Sequence, residues 1–182
     1  VLNGLENTLI IAIVGLILGI VIGTLLAVTK VIPQKRWYNK VFSKLTDIYV
    51  GLFRGTPMVV QLLIMYYVLF PLIGLAKLPA LTVAIIAFGM NSGAYVCEIM
   101  RSGILSVDKG QMEAGRALGM GYGRTMFKVI IPQAVKNILP TLGNEFISLV
   151  KETSVASFIT VVDLTKAFQQ IGSATYDYFI PY

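Results

Sequence analysis

Histidine is absent from the 182 residues, and cysteine occurs once, at Cys97. The first absence excludes Ser-His and Cys-His nucleophile pairs and imidazole metal sites. The second excludes an internal disulfide or a Cys-rich zinc cluster, so Cys97 is expected as a packed apolar residue. Charge is scarce as well: 13% of residues are charged against 56% hydrophobic, with a mean hydropathy of +0.78. That balance belongs to a membrane protein. No G-x-x-x-x-G-K-[ST] run is present, so the sequence has no P-loop for ATP. The charge that remains is lopsided, with 15 Lys and Arg against 9 Asp and Glu, a net charge of +6.

What is abundant is uncharged length. Between Glu6 and Lys30 lie 23 residues without a charge, about 35 Å of helix against a hydrocarbon core of about 30 Å. Basic residues follow this run rather than precede it, unlike a cleavable signal peptide, so the segment is expected to be retained as a span. Residues 55–76 and 78–97 form two more uncharged stretches, separated by Lys77, and read as a helical hairpin with a short turn. A fourth apolar region, 137–162, holds Glu145, Lys151, Glu152, Pro140 and Gly143, and reads as a broken or partial span. The tail carries Tyr176, Tyr178, Phe179 and Tyr182, an aromatic cluster suited to a membrane interface.

Twelve basic residues lie in the connections after the first and third spans, against Lys77 alone between the second and third. The excess places both long connections in the cytoplasm and the N-terminus outside. Gly15, Gly19 and Gly23 recur at every fourth position and predict a close helix approach. Trp37 to Leu52 carries an apolar stripe at helical spacing, either an interfacial helix or the cytoplasmic extension of the second span. Thr56 before Pro57 has the chemistry of an N-cap and first helical residue, so a break is expected at Arg54-Gly55.

The cytoplasmic loop, about residues 102–135, shows the most local order. Asp108 and Gln111 match a capping box for a helix from about Lys109 to Gly119. Gly119, Gly121 and Gly123 favour a tight turn, and residues 122–130 read as a second short helix ending before Pro132. Such a hairpin with Arg116, Arg124 and Lys128 superficially suits DNA, but it is tethered at both ends to spans and has no long basic recognition helix, which argues against nucleic acid.

Glu113-Ala114-Gly115, then Ala117, Leu118 and Gly119, and later Val129-Ile130-Ile131-Pro132, resemble the EAA motif of permease subunits of ATP-binding-cassette (ABC) importers. Gly115 stands where the motif commonly has alanine, and Val129 and Ile131 replace Ile and Leu. Arg54-Gly-Thr-Pro57, Asn91-Ser-Gly-Ala-Tyr95, Lys151-Glu-Thr-Ser154 and Val162-Asp163-Leu164 are similar to the polar amino acid branch of that family. The resemblance runs from about Gly4 to the end and implies an all-α, polytopic, five-span type I permease core in one domain over residues 1–182, with the last span missing from this chain. It implies a multi-pass protein of the prokaryotic cytoplasmic (inner) membrane that is not an enzyme. Partner ATPase subunits would carry ATP and magnesium and would grip the Glu113 to Gly119 loop. No cofactor is expected on this chain itself. A second permease chain, identical or not, and an extracytoplasmic solute-binding protein complete the expected partners, with lipid around them.

A charge at bilayer depth costs about 2.5–3.5 kcal/mol on insertion scales and demands a partner or a wet cavity. Asn91, Ser92, Glu152, Thr153, Ser154 and Asp163 are the candidate substrate lining. Their acidic excess favours a cationic amino acid, arginine first, then lysine or histidine, with glutamine next. Glu98 and Arg101, three apart, are expected to neutralise each other. The rival reading is an ion-gradient-driven transporter or channel in which Glu98, Glu152 or Asp163 relays protons; it leaves the ordered hairpin unexplained.

Overall fold

The computed structural model describes residues 1–33 and 36–179. Lys35 and Tyr182, counted above among the basic and aromatic residues, lie outside that range. The described residues are helical, with two helices long and apolar enough to cross a membrane unaided: α1 (Leu2–Val31) and α5 (Ala80–Leu105). They run parallel, so that Gly15, Gly19 and Gly23 of α1 meet Phe88, Ser92 and Cys97 of α5 in turn. A Cβ on Gly19 would sit 2.6 Å from Ser92 Oγ, and one on Gly23 would sit 2.7 Å from the Cys97 amide nitrogen. The approach is reciprocal, for Gly89 lies against Leu18 and Gly93 against Ile22. Between lipid-bathed helices the driving force is van der Waals contact, and paired glycines bring backbones close enough to supply it. Cys97 is buried in this seam, as expected.

The second crossing departs from the expected hairpin arm. Helix α2 (Trp37–Gly55) begins beside the C-terminal end of α1, where Lys30 pairs with Asp47 and the Thr29 and Thr46 hydroxyls lie 2.8 Å apart. It climbs to the middle of α5, where the Tyr49 hydroxyl donates to the Met90 carbonyl at 2.6 Å. There the chain bends by 107° into α3 (Met58–Ile64) and α4 (Phe70–Leu72), joined by a π-helical turn over Met65–Leu69. The α3 to α4 segment is shorter than the uncharged run 55–76 that announced it. It is long and apolar enough to span only when taken together with α2, as one bent pair. Thr56 does not cap α3: Pro57 holds the N-cap position, and the Thr56 hydroxyl turns back to the Leu52 carbonyl at 2.8 Å.

After α5, the Asp108 carboxylate accepts from the Gly110 amide and starts α6 (Lys109–Ala117). The capping box is incomplete, since Gln111 Oε1 accepts from Gln133. Of the three glycines in the turn, Gly119 alone takes positive φ (78°), while Gly121 N-caps α7 (Tyr122–Thr125) with φ of −67°. The second helix does not stop before Pro132. A π turn over Met126–Ile130 leads directly into α8 (Ile131–Glu152), and α8 also continues through Pro140 and Gly143. A wider turn ahead of proline relieves the clash of its ring with the carbonyl four residues back. The same device precedes Pro71.

The fourth region breaks later than its proline and glycine suggest. A 3₁₀ segment, Thr153–Ile159, ends at Thr160 with φ of 70°, and α9 (Leu164–Thr175) follows. Phe88, Ile11, Leu62, Leu149 and Ile159 fill one core where α1, α3, α5, α8 and the 3₁₀ segment meet. Val107, Ile130, Ala134 and Ile138 fill a second under the α6 to α7 hairpin.

Candidate functional site

Bending a span at mid-depth frees backbone carbonyls where water is scarce, and each must find a partner in the protein. At the α2 to α3 bend that partner is Gln61. Its Nε2 lies 2.7 Å from the Phe53 carbonyl, 2.9 Å from the Thr56 carbonyl and 2.8 Å from the Thr56 hydroxyl. Its Oε1 accepts from Asn91 Nδ2 at 2.9 Å, and Asn91 Nδ2 also reaches the Phe53 carbonyl at 3.3 Å. Both amides are buried. Gln61 was not among the residues singled out from sequence, although it is the lone polar side chain between Pro57 and Tyr66.

Beside this knot lies a cavity of about 170 Å³ lined by Asn91, Tyr95, Glu145, Ser148, Leu149 and Glu152. Glu145 accepts from the Ser92 hydroxyl at 2.8 Å. Among the described residues, no hydrogen-bond donor or cation pairs with Glu152. The Arg54 guanidinium stacks over the Tyr95 ring at 5.2 Å, which places a cation on the Glu145 side of the cavity. The arrangement offers acidic and amide oxygens, an aromatic face and one fixed positive charge, a set able to hold a zwitterion of net positive charge.

Asn91 and Glu152 therefore line one cavity, with Ser92 behind Glu145. Thr153, Ser154 and Asp163 are placed elsewhere. The Thr153 and Ser154 hydroxyls return to the Val150 and Lys151 carbonyls. Asp163, 1% exposed, N-caps α9, accepting from Thr165 N at 2.9 Å and Lys166 N at 3.2 Å. Around it, Asn7 Nδ2 donates to the Val162 carbonyl at 2.9 Å and Thr8 Oγ1 accepts from Leu164 N at 3.1 Å. Glu145, a charge inside the fourth apolar region, and Tyr95, at the end of the Asn91 to Tyr95 run, also line the cavity, although neither was placed in the expected substrate lining. Glu98 and Arg101 lie 3.5 Å apart on α5, the local neutralisation their spacing suggested.

In the hairpin between α5 and α8, α6 presents Glu113, Ala114 and Ala117 on its exposed face, and Leu118 is 82% exposed at its C-terminus beside exposed Gly119. Gly115 is instead buried, and a Cβ there would lie 2.5 Å from Thr125 Cγ2, so the departure from alanine matches a close contact between α6 and α7. The Tyr122 hydroxyl donates to the Val31 carbonyl at 3.2 Å and ties the hairpin to α1. Burial keeps that phenol protonated beyond the ordinary tyrosine range.

Two apolar spanning helices, a bent helix pair beside a polar cavity and an ordered hairpin describe a membrane protein with a polar interior. The chain belongs to the family of binding-protein-dependent transport system inner membrane components, whose model matches residues 7–179. It is 41% identical over its whole length to an arginine transport system permease protein of Bacillus subtilis (strain 168), covering 80% of that protein. It is 42% identical to a putative glutamine transport system permease protein of Rickettsia bellii (strain RML369-C), again with full coverage of this chain and 80% of the relative. An L-cystine transport system permease protein of B. subtilis is 42% identical over 96% of this chain and 72% of its own length. Among solved structures, a crystal structure of an amino acid ABC transporter with histidines superposes with a TM-score of 0.86 at 43% identity, covering 100% of this chain and 81% of that one. An inward-facing methionine ABC transporter shares the fold at 22% identity, TM-score 0.80, over 99% of this chain and 83% of that one. The protein is thus an all-α permease subunit of an amino acid ABC importer, a multi-pass component of the inner membrane; permeases of this class are not enzymes, and ATP hydrolysis belongs to a separate subunit.

Proposed function

We propose that this permease carries cationic amino acids, arginine foremost, by alternating access through the cavity beside Asn91. The observation that supports this is the pairing of Glu145 and Glu152 on one small cavity, with Glu152 lacking a cation of its own. Arginine has its α-carboxylate offset by the α-ammonium and leaves one guanidinium charge to be met. Asn91 and Glu152 remain the substrate contacts of this reading, Tyr95 and Glu145 join them, and Ser92 acts through Glu145, while Thr153, Ser154 and Asp163 drop out of it as groups that satisfy backbone. A volume of about 170 Å³ is small beside the roughly 300–1,000 Å³ of typical ligand sites, which suits a site enlarged when helices separate.

Mechanically, a cytoplasmic ATPase carrying ATP and magnesium would grip the surface formed by Glu113, Ala114, Ala117, Leu118 and Gly119, with Gly115 seating that surface on Thr125. Closure of the ATPase would push the hairpin and re-pack the spans. A second permease chain, an extracytoplasmic solute-binding protein and an N-terminus on the outer side complete the proposal. The test is uptake of labelled arginine into vesicles holding the permease with its ATPase and binding protein, with and without ATP, against excess unlabelled glutamine and glutamate. ATP-dependent uptake, resisted by glutamate and lost on Glu113→Lys, is expected. Arginine entry on an ion gradient with the ATPase absent overturns it.

A further inference from the structure

The amide knot at the bend has a chemical orientation that follows from its partners alone. The Phe53 and Thr56 main-chain carbonyls can only accept, so the atom of Gln61 facing them must be Nε2, and Gln61 must present Oε1 to its neighbour. Asn91 therefore offers Nδ2 both to Gln61 Oε1 and to the Phe53 carbonyl, which engages its two N–H groups. Oδ1 is the atom left over, and among the described residues nothing donates to it. Asn91 also lines the cavity that holds Glu145 and Glu152. With its amide turned this way, Asn91 has an acceptor, and no donor, to spare for a ligand.

We propose that Gln61 is a positioning residue that sets substrate preference: by fixing the Asn91 amide through the carbonyls of the broken span, it makes the cavity acceptor-rich and so selective for ligands carrying extra donors. The inference rests on the cavity being the substrate site. A guanidinium or ammonium side chain brings donors only, and it gains from an acceptor at Asn91. The side-chain amide of glutamine brings a carbonyl as well as a donor, so it gains less. Without Gln61, the Asn91 amide keeps only its 3.3 Å contact with the Phe53 carbonyl, and the N–H that Gln61 Oε1 engaged becomes available to a ligand carbonyl, which favours glutamine. The same change releases the Thr56 carbonyl and loosens the 107° bend.

The experiment uses the complete importer in vesicles, comparing Gln61→Leu with wild type in labelled L-arginine and L-glutamine uptake. In the same preparations, spin labels at exposed Ile48 and Val68 report the distance across the bend. The expected result is a fall of about tenfold in the arginine to glutamine preference, carried by KM, with maximal rate per assembled complex changed less than about twofold. A broadened label distance accompanies it. A purely structural role would lower the amount of assembled complex and leave the preference intact, so an unchanged ratio overturns the proposal. If the wild type carries neither amino acid, the substrate reading fails by itself, and the label distance then decides the knot: unchanged in the variant, the knot is overturned too. Should Gln61→Leu fail to assemble, Gln61→Met, of similar length and without hydrogen-bonding groups, takes its place, and wild-type selectivity in that variant overturns the proposal.

Discussion

The chain is broken twice among its described residues, and the two breaks are closed in different ways. At Thr56-Pro57 the freed carbonyls are held by Gln61, which shares its other end with Asn91 of α5, a cavity residue. At Thr160 to Asp163 the freed groups are held by a fully buried carboxylate cap and by Asn7 and Thr8 of α1. One closure borrows from the polar cavity, and the other from the start of α1. A substitution at the first break should therefore be read in substrate kinetics, and one at the second in stability. Unsatisfied backbone is intolerable in hydrocarbon in either place; what differs is whether the side chain that satisfies it has a second duty.

The largest effect should come from damaging the frame that both breaks lean on. Gly19→Val places a branched side chain against Ser92 and the Gly93 amide, where the backbone cannot yield. A loss of about 3 kcal/mol or more is expected, seen as a steep fall in folded permease by denaturant titration in micelles. Next in size, Asp163→Ala removes two N-cap acceptor bonds, at about 2 kcal/mol. KM of the surviving complexes should stay as in wild type; a raised KM with intact stability would move Asp163 to the substrate and erase the contrast between the breaks.

Glu152→Gln should sharpen the cavity side of the comparison, raising the arginine KM about tenfold, equivalent to about 1.4 kcal/mol, with glutamine uptake little changed. An equal rise for both amino acids would show that Glu152 acts on shape and not on charge. The smallest effect belongs to Tyr122→Phe, which deletes one hydrogen bond to Val31 at about 1 kcal/mol. It should appear as faster amide exchange over residues 118–126, with neither break disturbed.

Much of this plan is legible in the chain. Spacing alone exposes the glycine seam, because a four-residue period marks one helical face. Asp108 caps α6 as its position suggests, and the break after Arg54-Gly55 falls where Thr56-Pro57 signals it. The arm over 55–76 is helical only from Met58 to Leu72, shorter than its uncharged run, because hydrophobicity reports that a segment is uncharged and not where its helix starts, stops or bends. Pro132 looks like a stop, since the π turn that accommodates it depends on packing and leaves no local signature. Asp163 attracts attention as a buried charge, but its duty becomes visible only with α9 and the start of α1 in place, 156 residues apart for Thr8 and Leu164. Glu145 and Ser92, 53 residues apart, meet through tertiary packing alone.

The π turn before Pro132 carries a further consequence. Because the proline is absorbed without a break, residues 122–152 form one continuous helical shaft, roughly 45 Å long. Tyr122 sits at one end, and Glu145 and Glu152 lie toward the other. On the proposed mechanism the shaft would serve as a connecting rod: with no loop between hairpin and carboxylates to absorb a displacement, a shove at one end would reach the other as an axial slide or a twist.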